Sequence, residues 1–101
     1  MEKELFYVEL FDIYKGLLTK KQRELFESHY IYDLSLSEIA EPEGRTRQSV
    51  YDAVKKVKKK LNELENLLKI KETEEKLTKL SLDLKKADNP AYEKILEIIG
   101  K

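Results

Sequence analysis

Residues 35–60, SLSEIAEPEGRTRQSVYDAVKKVKKK, restrict the fold more than any other stretch. Ser35 and Glu38 make an S-x-x-E capping box, which satisfies two orphan amides and predicts a helix from Leu36. Ile39 and Ala40 mark its apolar side. Pro42 cannot sit in a helix interior without losing a backbone hydrogen bond, so the helix should stop near Glu41. Gly44 supplies the left-handed backbone of a sharp reversal, and Thr46 is a good N-cap for the next helix. A small residue at Ala40, a glycine at 44 and a branched apolar residue at Val50 predict a helix-turn-helix. The second helix of such a motif enters a DNA major groove by its first turn. Two turn positions depart from the usual apolar pattern. Glu43 must point outward, and the Arg45 stem should lie over apolar surface with its head in water.

The flanking sequence also reads as helix. Residues 3–18 carry Leu5, Phe6, Val8, Phe11, Ile13, Tyr14, Leu17 and Leu18. These cover more than one side, so this helix should be buried on two, under the rest of the chain or against a second copy. A break follows at Gly16 to Thr19. Thr19 and Gln22 form a second capping box, T-x-x-Q, starting a helix to about Tyr32. Its inner face holds Leu25, Phe26, His29 and Tyr30, with His29 expected as a core histidine holding one hydrogen bond. Asp33 and Leu34 link it to the central stretch.

From Thr46 onward Val50, Val54, Val57, Leu61, Leu64 and Leu68 alternate steps of four and three, a coiled-coil seam. A following helix of the same chain, or the same helix of a partner, is expected to cover it. Residues 72–87 form another amphipathic helix with the stripe Leu77, Leu80, Leu84 and Ala87. Asp88, Asn89 and Pro90 stop and restart the chain, and a last apolar helix carries Tyr92, Ile95, Leu96, Ile98 and Ile99. The expected organisation is a helical core at 1–71 and a C-terminal tail at 72–101 that docks on the long helix or on a partner. The fold class is all-α: a wingless helix-turn-helix with a long C-terminal helix and trailing helices.

Composition limits the functions. The chain has 101 residues, of which 40% are charged, with a formal net charge of zero. Between Arg45 and Lys60, however, seven bases face one acid, Asp52, a local +6 balanced by −6 elsewhere. Such segregation is what an electrostatic footprint for nucleic acid looks like, and also what a solvated lysine face looks like. There is no cysteine and one histidine, so neither disulfide nor metal chemistry is expected. No apolar run approaches a membrane span, and the N-terminus lacks the pattern of a secretory signal, so a cytoplasmic location is expected. No catalytic motif or glycine-rich phosphate loop is present, so neither an enzyme nor a cofactor is expected. The carboxylates lie among lysines at helix-surface spacing, and most tyrosines fall on apolar stripes.

The order LTKKQRELFESHYIYDLSLSEIAE resembles the region of bacterial sigma factors that reads the promoter minus-thirty-five element. Together with RQSVYDAVKK and the trailing charged helix, it resembles more closely the YlxM family of small bacterial proteins, over about Leu5 to Leu68. Arg47, Gln48, Val50, Tyr51 and Asp52 are the most specific part. The resemblance implies a helix-turn-helix protein tied, by gene neighbourhood, to the signal recognition particle. The expected ligands are DNA or the RNA or protein components of that particle. Arg47 and Gln48 would face base edges. Arg45, Thr46 and the helix N-terminus would hold a phosphate. Tyr51, beside the basic face, could reach a phosphate, Ser49 and Asp52 complete the expected contact set, and Lys55, Lys56 and Lys59 would track the backbone. A homodimer is expected, since paired recognition helices need one. The alternative is a protein-interaction module that keeps the scaffold without binding DNA.

Overall fold

The long helix predicted from Thr46 carries two apolar segments end to end, and different parts of the chain cover each. The computed structural model describes residues 2–100 as six helices, with no strand among the described residues. These are α1 (Glu2–Tyr14), α2 (Lys20–Phe26), α3 (Leu36–Ala40), α4 (Arg47–Leu68), α5 (Ile70–Lys86) and α6 (Ala91–Ile98). Residues 1–67 and 68–101 form two compact units.

In the first unit, Val57 and Leu61 of α4 pack with Leu10, Phe11, Tyr14, Leu18 and Phe26. Val50 and Val54 pack with Ile39 and Ala40 of α3, forming the small core of the helix-turn-helix. Leu25 and Tyr30 border both clusters and join them. The rings of Phe11 and Phe26 stack at 4.4 Å, and Phe26 stacks on Tyr30 at 4.5 Å, so one aromatic column runs from α1 into α2. Polar links tie α1 to α4 as well. The Tyr14 hydroxyl donates to Glu65 at 2.7 Å, the Asn62 amide donates to the Tyr7 hydroxyl at 2.8 Å, and Lys58 pairs with Glu4 at 3.5 Å.

The seam is therefore filled from within the chain as far as Leu61, and the helices that fill it precede α4 rather than follow it. The heptad pattern shows that a face is apolar; it does not show what lies against it. Leu64 is half-buried and Leu68 is 45% exposed, so the seam fades toward its end.

Both capping boxes form as read, at Thr19 with Gln22 and at Ser35 with Glu38. Gly44 takes φ +64°, and the Arg45 amide reaches back to the Ala40 carbonyl at 3.0 Å. Other expectations need correction. The α-helix of α1 ends at Tyr14 and continues as a 3-10 turn, Lys15–Leu17, which leaves Leu17 outward; Leu5 is also exposed. Leu10, outside the expected apolar set, is fully buried. The second helix loosens into a π turn at Glu27–Ile31, and Tyr32 beyond it is 67% exposed. His29 is half-buried rather than in the core, with Nδ1 hydrogen-bonded to the Leu34 carbonyl at 2.8 Å.

The second unit is a hairpin in which α6 packs on α5. Lys69 opens it with φ +54°, a left-handed residue the sequence did not signal. Asp88 turns the chain at φ +60°, and Asn89 accepts the Ala91 amide with its side-chain oxygen, so the predicted stop and restart is present. The α5 stripe is altered. Ser81 is buried, its hydroxyl donating to the Thr78 carbonyl at 2.7 Å, while Leu80 is 47% exposed and Ala87 is exposed.

The unequal filling of the seam has a direct consequence. Val57→Ala or Leu61→Ala should each lower unfolding free energy by about 2–4 kcal/mol, through lost burial and the cavity left behind. Leu68→Ala should cost less than about 1 kcal/mol. Urea unfolding of the three variants measures the difference.

Candidate nucleic-acid interface

The first turn of α4 is built by its neighbours. Gly44 reverses the chain, and the Thr46 hydroxyl accepts the Ser49 amide at 3.0 Å, capping the helix. Val50, fully buried against α3, then fixes the rotation of the helix about its axis. That rotation leaves Thr46, Arg47 and Gln48 exposed. Gln48 lends its amide to Asp52 at 3.1 Å, a one-turn bond on the exposed surface. The remaining orphan amides of the first turn, with the helix dipole behind them, favour an anion there.

The seven bases of the segment fall into two groups. Arg45, Lys58 and Lys60 are engaged inside the fold. The Arg45 guanidinium donates to the Ser49 hydroxyl at 2.9 Å and to the Ser49 carbonyl at 3.2 Å, and it pairs with Glu43 at 3.4 Å. Thus the two unusual turn residues satisfy each other. Arg45 locks the start of α4 instead of lying loose over apolar surface, and its donors are largely spent. Lys60 reaches Gln22 of α2 at 3.5 Å. Lys58 lies 5.1 Å from the ring centroids of both Tyr7 and Tyr30 and pairs with Glu4.

The second group is Arg47, Lys55, Lys56 and Lys59. All four are exposed and make no ion pair among the described residues. Lys55 and Lys59 are one turn apart, on the same outward side as Gln48 and Asp52. Tyr51, 47% exposed, lies beside Lys55 on an open groove of about 930 Å³ that also takes in Tyr7 and Asn62. Lys56 borders this groove and also a hollow of about 510 Å³ that it shares with Arg45 and Lys21. Tyr7 and Asn62 were outside the expected contact set. Only the packing of α1 beside α4 brings them to this groove, and no local motif announces it.

The Lys58 anchor shifts its members' ionisation. Burial works against the charged forms, but the Tyr30 hydroxyl and the ammonium of Lys58 hold the Glu4 carboxyl below its ordinary range. Partial burial likewise opposes the Lys58 charge, yet Tyr30 and Glu4 raise it above the ordinary lysine value. Tyr30 is raised, chiefly by burial.

Among the described residues no group of acids and histidine is arranged to hold a metal ion, and no helix is long and apolar enough to cross a membrane. Residues 1–99 match UPF0122, a family described as helix-turn-helix protein, YlxM / p13 like. A UPF0122 protein of Mycoplasma capricolum is 48% identical over 80 residues, covering 79% of this chain and 71% of its own. One from Shouchella clausii is 40% identical over 87 residues, covering 86% and 80% respectively. One from Bacillus mycoides is 39% identical over 98 residues, covering 91% and 89%.

The anchor predicts how stability depends on pH. The lowered Glu4 contributes above the ordinary carboxylate value of 4.5 and loses its contribution as pH falls through its folded value. The raised Lys58 contributes fully below 10.5 and loses its contribution as pH rises through its folded value. Half-exposure of Glu4 keeps the effect small, a few degrees of melting temperature at most. Glu4→Gln should flatten the acid limb of a melting-temperature profile between neutral pH and about pH 3, relative to wild type.

Proposed function

Because the chain belongs to the UPF0122 family of YlxM / p13-like helix-turn-helix proteins, we propose that it is a cytoplasmic, non-enzymatic nucleic-acid-binding accessory protein of the signal recognition particle pathway. One observation carries the reading: Arg47 and Gln48 stand exposed at the first turn of the second helix of the motif, with Lys55 and Lys59 exposed along the same helix. Arginine suits the O6 and N7 acceptors of guanine, and glutamine suits the N6 and N7 pair of adenine. The capped N-terminus at Thr46 supplies amides for a phosphate. The lysines contribute counterion release without sequence preference. Arg45, expected from its sequence position to contact a phosphate, serves instead as the strut that sets the angle of this turn.

Duplex DNA fits this tip as a major-groove ligand. The RNA of the particle, whose A-form major groove is deep and narrow, would be held by shape and charge. A protein ligand is the second reading. It is favoured by Ile31 and Tyr32, which are 49% and 67% exposed beside half-turned Leu34, and by the withdrawal of three of the seven bases into the fold.

Titration of duplex DNA and of particle RNA across salt concentrations tests the assignment. Affinity should fall steeply as salt rises; a flat response would remove the nucleic-acid reading. Arg47→Ala with Gln48→Ala should cost roughly 1–3 kcal/mol per lost bidentate contact and erase sequence preference. Lys55→Ala and Lys59→Ala should weaken all sequences alike and each lower the salt slope by about one. If the protein reading holds, the Arg47/Gln48 double variant keeps its partner in a pull-down.

A further inference from the structure

The α5 helix carries a second heptad stripe: Thr73, Leu77, Leu80, Leu84 and Ala87 step by four and three. Within the hairpin this stripe is covered only on one side. Ser81, about 100° around the helix from Leu80, is 3% exposed, which marks the flank on which α6 lies. Leu77 and Leu84, nearer that flank, are half-buried. On the other side of the stripe Thr73 and Ala87 are exposed, Leu80 is 47% exposed, and Lys76 and Asp83 form an exposed polar edge. A two-helix unit spanning residues 68–101 lies below the roughly 40 residues at which a chain buries an adequate core alone.

We propose that this open side of α5 pairs with the same side of a second copy of the chain, antiparallel, with Leu80 at the two-fold axis. The positions on the stripe are nearly symmetric about Leu80. Thr73 and Ala87 stand seven residues to either side, so each faces the other across the axis. Leu77 and Leu84 stand three residues before it and four after it, so they come opposite each other to within the rise of one residue. The edge charges complement each other in this alignment: Lys76 of each copy meets Asp83 of the other. A parallel two-fold would place the two Lys76–Asp83 edges on opposite sides of the interface, out of each other's reach, so the charge pairing selects the antiparallel alignment. Glu72, one turn from Lys76 and paired with it at 3.5 Å, lies farther from the stripe and leaves the ammonium within reach of both carboxylates. The same surface patch serves both copies, as a two-fold interface requires. This pairing does not depend on what α4 binds.

The chain has no cysteine, so a single introduced thiol reports the axis. Under mild oxidation Leu80→Cys should form a disulfide-linked dimer nearly quantitatively at micromolar protein, because residue 80 meets itself. Leu82→Cys, 54% exposed but on the far side of α5, should remain almost wholly monomeric. Sedimentation of the unmodified protein should show a reversible dimer. Lys76→Glu and Asp83→Lys should each raise its dissociation constant roughly tenfold by setting like charges together, and the double exchange should restore it. Circular dichroism of each variant at matched concentration should show unchanged helix content. A wild-type protein that sediments as a monomer overturns the proposal. So does equal cross-linking at residues 80 and 82, or a dimer indifferent to the charge exchange.

Discussion

The contact of α1 with the middle of α4 is the one on which the first unit depends. α3 has five residues and cannot hold itself helical in water. It persists because Ile39 and Ala40 find Val50 and Val54, and those valines are available only if α4 is already a long, supported rod. The support is Val57 and Leu61 against Leu10, Phe11, Tyr14 and Phe26. The aromatic column from Phe11 through Phe26 to Tyr30 carries the same support into α2, and Tyr30 touches the core of the helix-turn-helix. Thus the motif is an extension of the helical core, with its exposed tip at one end of a helix clamped further along.

That arrangement sorts the charges. Along α4, the same rotation that turns Val50, Val54, Val57 and Leu61 inward brings Lys58 and Lys60 beside α1 and α2, where Glu4, two tyrosine rings and Gln22 receive them. Lys55, Lys56 and Lys59 turn outward. A count of lysines along the chain treats all five alike, whereas the fold assigns two of them to holding the helix in place. The Arg45 and Glu43 pair is a similar case. Each is an odd residue for a helix-turn-helix turn taken singly, but together with Ser49 they close it.

What the sequence disclosed and what it withheld follow the range of the forces involved. Capping at Thr19 and Ser35, the reversal at Gly44 and the restart after Asn89 rest on bonds between residues a few positions apart, and all were legible. The seam on α4 was legible as periodicity. Its occupant was not, because the choice between α1, a later helix and a second copy is made by packing over some fifty positions, as between Tyr14 and Glu65. The same distance hid Tyr7 and Asn62, which share a groove only after α1 has docked. The π turn at Glu27–Ile31 and the left-handed Lys69 are backbone adjustments that no residue type in the sequence requires.

Filling the α4 seam from inside the chain also changes where a partner copy can attach. A seam spent on α1 as far as Leu61 leaves too little of α4 for a coiled coil of useful length, since stable coils need several heptads. Yet a lone tip has limited means. Arg47, Gln48 and three lysines would meet few phosphates of a nucleic acid, and affinity that rests on a few phosphate contacts is weak at physiological salt. Were two copies joined through their hairpins, the second contact of a nucleic-acid-binding tip would become intramolecular, which strengthens binding without a new residue at either tip. A fold that spends the α4 seam on α1 leaves any pairing of copies to a different face, and α5 offers a stripe of the right period with one side open.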